Sequence, residues 1–78
     1  MDNQHKQIKG YRDLTADEIA RMNEIKTHGE ALGLLVDRMD KAGRDTGAID
    51  TRWVAIARTQ LQQGLMALTR AVARPTTF

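Results

Sequence analysis

Three features of this 78-residue sequence predict an all-α fold: an antiparallel helical hairpin with a short N-terminal arm that assembles with copies of itself. Two long stretches repeat apolar residues at helical spacing, and a glycine-containing link joins them. Together they carry more apolar surface than one helix pair can bury.

Residues 1–13 read as the arm, because Met1 to Lys9 is polar and has no period. Gly10-Tyr11-Arg12-Asp13 is turn-like and leads into a specific helix start. Thr15 and Glu18 have the spacing of a capping box, and Leu14 and Ile19 that of a hydrophobic staple. Asp17 and Glu18 suit the positive end of the helix dipole.

The first helix is expected over 15–42. Met22, Ile25, Gly29, Leu32, Val36 and Met39 form its seam, widened by Leu35 and Ala42. Gly29 and Gly33 lie inside it, where glycine costs roughly 1 kcal/mol relative to alanine. Those costs point to something pressing close, either a helix or a ligand. Leu34 projects away from the seam. Gly43 to Ile49 reads as the link, with Gly43 as the C-cap.

The second helix is expected over 50–74, with Asp50 as its N-cap and Pro75 as its stop. Val54, Ala57, Leu61, Leu65, Leu68 and Val72 make one stripe; Trp53, Ile56, Gln60, Gly64, Ala67 and Ala71 make a second beside it. The two cover about half the circumference, more than a single partner helix covers. Arg52, Thr59, Gln63, Arg70 and Arg74 occupy the opposite arc, and no acidic residue lies between Thr51 and Phe78.

One domain of this size sits near the lower limit for a self-sufficient core. With no cysteine, neither a disulfide framework nor a thiolate metal site can staple it. Only Tyr11, Trp53 and Phe78 are aromatic. Such scaffolds gain stability by oligomerising, so a homo-oligomer is expected.

The net charge of +2 is uneven: residues 1–13 sum to +1, residues 14–42 to −2 and residues 43–78 to +3. The arginine-rich C-terminal half suits bidentate contact with carboxylate or phosphate, although a solvated basic face has the same composition. A polar N-terminus and the lack of a long apolar run predict a cytoplasmic protein with no membrane partner.

Catalysis finds no support. Serine and cysteine are both absent, removing the two commonest nucleophiles. His5 and His28 lack partners at metal-ligand spacing; Glu24, four residues before His28, has the spacing of an ordinary surface pair. No cofactor is expected. DNA binding is disfavoured as well, because the charge is modest and the first helix is too long for a helix-turn-helix. A small anion at a subunit interface fits better. Tyr11 before the first helix can stack on a base or pack on the first turn. Lys26, at the edge of the seam, can hold an anion or snorkel past apolar neighbours. A two-fold axis would set two copies of both residues around one symmetric ligand.

The same residues carry a family resemblance. Tyr-Arg-x-Leu, Met-Asn-x-Ile-Lys, Asp-x-Arg-Trp, Leu-Gln-x-Gly and Arg-Ala-Val-Ala-Arg-Pro stand in order between Gly10 and Phe78. This set resembles the tailed-phage anti-CBASS protein 2 family, sponges that remove the cyclic oligonucleotides of a bacterial defence. The resemblance implies a hexamer acting in the infected bacterial host cell. It implies cyclic dinucleotides such as cyclic GMP-AMP held between protomers by Tyr11 (base stacking) and Lys26 (phosphate). It also implies a separate site for cyclic trinucleotides such as cyclic tri-AMP, carried here by Arg70 with Thr27 or His28. Two rivals remain at this point. A helical adaptor without a nucleotide ligand predicts that Tyr11 and Lys26 are replaceable. A nucleic-acid-binding protein predicts steeply salt-dependent binding of linear oligonucleotides.

Overall fold

The computed structural model describes residues 13–77. Most of the N-terminal arm, including Tyr11, therefore lies outside the described residues, as does Phe78. Within them the chain is an all-α hairpin. Helix α1 spans Ala16–Thr46 and helix α2 spans Thr51–Ala73, and the two pack along their length. The long dimension, 51 Å against 23 and 19 Å, is set by α1, since 31 residues at about 1.5 Å each span roughly 46 Å.

Capping sets three of the four helix ends where the sequence predicts them. At the start of α1 the Glu18 amide donates to Thr15 Oγ1 (3.1 Å) and the Thr15 amide donates to Glu18 Oε1 (2.8 Å). This reciprocal pair satisfies two backbone donors that a helix start leaves open. Asp50 Oδ1 accepts from the amides of Arg52 (2.9 Å) and Trp53 (3.4 Å), starting α2. Arg74 ends α2 in the left-handed region at φ 44°, its amide donating to the Arg70 carbonyl (2.8 Å).

The end of α1 corrects the sequence reading. The helix does not stop at Ala42 but continues to Thr46, and Gly43 is not its cap. Gly47 caps it at φ 71°, and its amide donates to the Gly43 carbonyl at 2.9 Å. Gly43 is instead a buried helix position against which the returning chain is laid. A β-carbon there would lie 2.7 Å from the Ile49 carbonyl oxygen and 2.7 Å from Thr51 Cγ2. Thr46 completes the exit, its hydroxyl donating to the Ala42 carbonyl (2.7 Å) and accepting from the Ala48 amide (3.1 Å).

The seam is the expected one with two local departures. Met22, Ile25, Gly29, Leu32 and Val36 of α1 face Val54, Ala57, Leu61, Leu65 and Val72 of α2, all partly or fully buried. Past Val36 the seam drifts to Asp40 and Gly43, leaving Met39 41% exposed; on α2 it passes through Thr69, leaving Leu68 55% exposed. A straight helix drifts against a seven-residue repeat, and these positions lie on the losing side. Gly29 is the close approach that its helical cost implied, with Leu65 Cδ1 3.2 Å from where a β-carbon would be. Gly33 is not, having nothing within 4 Å. Across the helices, Arg58 pairs with Asp37 (2.7 Å) and Arg74 with Glu18 (3.4 Å).

Val36 is the one buried apolar side chain among the described residues. Leu34, Leu35, Met39, Trp53, Met66 and Leu68 remain exposed. By helical angle, Leu35 and Met39 of α1 share a face of the hairpin with Trp53, Gly64, Ala67 and Leu68 of α2. That face includes most of the second stripe read from the sequence. Among the described residues no helix is long and apolar enough to cross a membrane.

Candidate functional site

The candidate residues lie near the open end of the hairpin, where α1 begins and α2 finishes. On α1, Lys26, Thr27 and His28 are consecutive and exposed, so they project about 100° apart and cannot converge on one point. Lys26 shares a face with Met22, Gly29 and Gly33. Thr27 points to the side of α1 away from α2, and its hydroxyl donates to the Asn23 carbonyl at 3.0 Å. His28 points toward the apolar face that carries Leu35 and Met39.

Two depressions flank Lys26 on its own face. One is a narrow cleft of about 130 Å³ floored by Gly29 and Gly33, with Leu32, Val36, Leu61 and Leu65 around it and Arg58 and Gln62 lining it as well. Gly33 leaves it open, with nothing within 4 Å of where a β-carbon would be, while Leu65 packs over Gly29. The other is a wider groove of about 410 Å³ between Met22 of α1 and Leu65, Met66, Thr69, Arg70 and Ala73 of α2, with Pro75 included in its wall. This volume falls in the range of small-molecule sites, and apolar walls with few polar groups are their usual chemistry.

Charge pairing separates the basic residues into two classes. Arg21, Lys41 and Arg44 are bound to Asp17, Asp45 and Asp40 one turn away on α1, and Arg58 and Arg74 are bound across the hairpin. The side chains of Lys26, Arg38 and Arg52 make no ion pair with the described residues. Lys26 alone among these three was named as a site candidate from the sequence; it shares a face with residues of both depressions but lines neither. Arg70 lines the wider groove, and its Nη2 donates to the Thr77 carbonyl at 3.3 Å.

The hairpin thus places Lys26 and Arg70 near the same end but does not join Arg70 to Thr27 or His28. Arg70 lies on the outer part of α2 and Thr27 on the outer side of α1, with both helices between them. Tyr11 lies outside the described residues, four positions before Thr15. Among the described residues, no group of three or more His, Cys, Asp or Glu side chains is placed to hold a metal. The sequence reading missed Met22, Met66 and Pro75 as groove walls and Arg58 as a residue beside the cleft. Arg58 had a usable signal: it follows Val54 by four residues on the seam side, within reach of an acid on α1 such as Asp37.

Comparison with known proteins adds to this geometry. The family model of the Acb2/Tad1 hairpin domain matches residues 3–73, spanning both helices and their link. The chain is also similar to anti-CBASS protein 2 of Pseudomonas phage JBD67, at 39% identity over 105 aligned positions covering 96% of this chain and 97% of the relative.

Proposed function

The chain belongs to the Acb2/Tad1 hairpin family, and from that premise we propose that it is a phage anti-CBASS protein that sequesters cyclic di- and trinucleotide messengers without cleaving them. The observation that carries the reading is its near-full-length similarity to anti-CBASS protein 2. Lys26, which makes no ion pair with the described residues and shares a helix face with the glycines of the narrow cleft, supports it locally.

A sponge needs strong contacts and no reacting group. Lys26 supplies a charge-assisted hydrogen bond to a phosphate oxygen, and such bonds are roughly twice as strong as neutral ones. Tyr11 supplies a face for a base. Neither activates water or attacks phosphorus, and the sequence offers no serine or cysteine to do so. A cyclic dinucleotide has two phosphates, so it calls for two copies of Lys26. A homo-oligomer with two-fold axes supplies them, and the apolar face holding Leu35, Met39, Trp53 and Leu68 gives it surface to bury. A hexamer meets this requirement.

The trinucleotide site follows a different rule. Arg70 and Thr27 face apart on one hairpin, so a site using both, or Arg70 with His28, draws them from different protomers. Dinucleotide and trinucleotide sites are then separate, with Tyr11 and Lys26 serving one and Arg70 with Thr27 or His28 serving the other.

The test is recovery of intact ligand. Purified protein is mixed with cyclic GMP-AMP and cyclic tri-AMP, washed, then heated, and the released material is separated by chromatography. Intact cyclic ligands are the expected result. Linear products would reveal an enzyme, and an empty protein would favour the adaptor reading. Lys26→Ala and Tyr11→Ala should each lose cyclic GMP-AMP while keeping the oligomer, and Arg70→Ala should weaken cyclic tri-AMP selectively.

A further inference from the structure

The C-terminal segment after α2 takes an expensive route. Arg74 sits at φ 44°, ψ 62°, a left-handed conformation that a side chain with a β-carbon rarely adopts. It also precedes Pro75, whose ring pushes the preceding residue toward extended backbone. Two contacts accompany this turn. The Arg74 guanidinium reaches Glu18 Oε2 at 3.4 Å, and Glu18 is already held as the second half of the α1 capping box. Beyond the turn, the Thr77 carbonyl accepts from Arg70 Nη2 at 3.3 Å. The turn therefore folds Pro75 to Thr77 back along α2, where Pro75 walls the groove that Arg70 lines.

From this arrangement we infer that residues 74–77 form a strap whose Thr77 carbonyl holds Arg70 Nη2 until a phosphate displaces it. The inference rests on the reading that Arg70 serves an anionic ligand, and adds that the protein carries its own competitor. A carbonyl is a neutral acceptor and a phosphate an ionised one, so exchange at Nη2 favours the ligand, while the carbonyl satisfies that N–H in its absence. The strained turn loads the strap toward release. The affinity of the Arg70 site is thus set partly by a residue that touches no ligand.

Two substitutions at Arg74 isolate the turn. Arg74→Gly and Arg74→Val both remove the bond to Glu18, but glycine favours the left-handed turn and valine opposes it. The full-length variants are titrated with cyclic tri-AMP by calorimetry. They are also titrated with inorganic phosphate, following the Arg70 side-chain N–H signals by NMR. Arg74→Val should bind both about two- to tenfold more tightly than Arg74→Gly, the range expected from one neutral hydrogen bond. Circular dichroism of both variants checks that the hairpin is kept. If cyclic tri-AMP binds to no form while phosphate still ranks valine above glycine, the strap stands and the trinucleotide reading falls. Equal affinities, or tighter binding by Arg74→Gly, with both probes would overturn the strap.

Discussion

Replacing Gly43 by alanine puts a methyl carbon 2.7 Å from the Ile49 carbonyl oxygen and 2.7 Å from Thr51 Cγ2. The oxygen belongs to backbone in a link of only four residues between α1 and α2, so the two helices must part to admit it. Overpacking of this kind costs typically 1–3 kcal/mol. Alanine inside a helix returns about 1 kcal/mol, which leaves a net loss of up to about 2 kcal/mol. In a domain of this size that lowers the melting temperature by up to about 16 °C. Gly33→Ala is the internal control on the same helix: nothing lies within 4 Å of the new carbon, so it gains the propensity term, about 1 kcal/mol. Gly29→Ala falls between them, because its 3.2 Å neighbour is the end of the Leu65 side chain, which can shift. Thermal unfolding at one fixed protomer concentration reads the series, since the proposed assembly would make melting concentration-dependent. The reasoning is refuted if Gly43→Ala melts at or above Gly33→Ala.

Two further perturbations probe the ends and the open face. Glu18→Gln should preserve the capping box while weakening the bond to Arg74, whereas Glu18→Ala should lose both and cost about 1 kcal/mol more in urea unfolding. Equal stability of the two would mean that the box contributes nothing. Leu35→Glu and Trp53→Glu, on the exposed apolar face, should dissociate the proposed homo-oligomer in analytical ultracentrifugation without changing the helicity of the protomer. An unchanged sedimentation coefficient in both would place self-association elsewhere.

The elements were legible wherever a local rule acts alone. Thr15 with Glu18, Asp50, and the stop before Pro75 are decided within one turn of chain, and each cap stands where the sequence places it. Gly43 and Gly47 defeat the same rule, because two glycines four residues apart are equally good caps on paper. What selects Gly47 is the packing of Ile49 and Thr51 onto Gly43, a contact that exists only after the chain has turned. Met39 and Leu68 were assigned to the seam by strict spacing and left it through helical drift. At the site, the divergence of Lys26, Thr27 and His28 follows from helix geometry alone. The environment of Arg70 does not, because Thr77 reaches it through a turn, and Met22 lines the same groove from a partner helix, neither of which periodicity can see.

A hairpin whose one buried apolar side chain among the described residues is Val36 has little surface left to expose when it melts. The urea dependence and the heat-capacity increment of unfolding both scale with newly exposed area. A lone protomer should therefore unfold over a broad range, with a shallow denaturant slope and a weak calorimetric peak. A steep slope or a sharp endotherm from a chain this short would report area hidden between copies. The cooperativity of one melting curve becomes a gauge of how many neighbours each hairpin keeps.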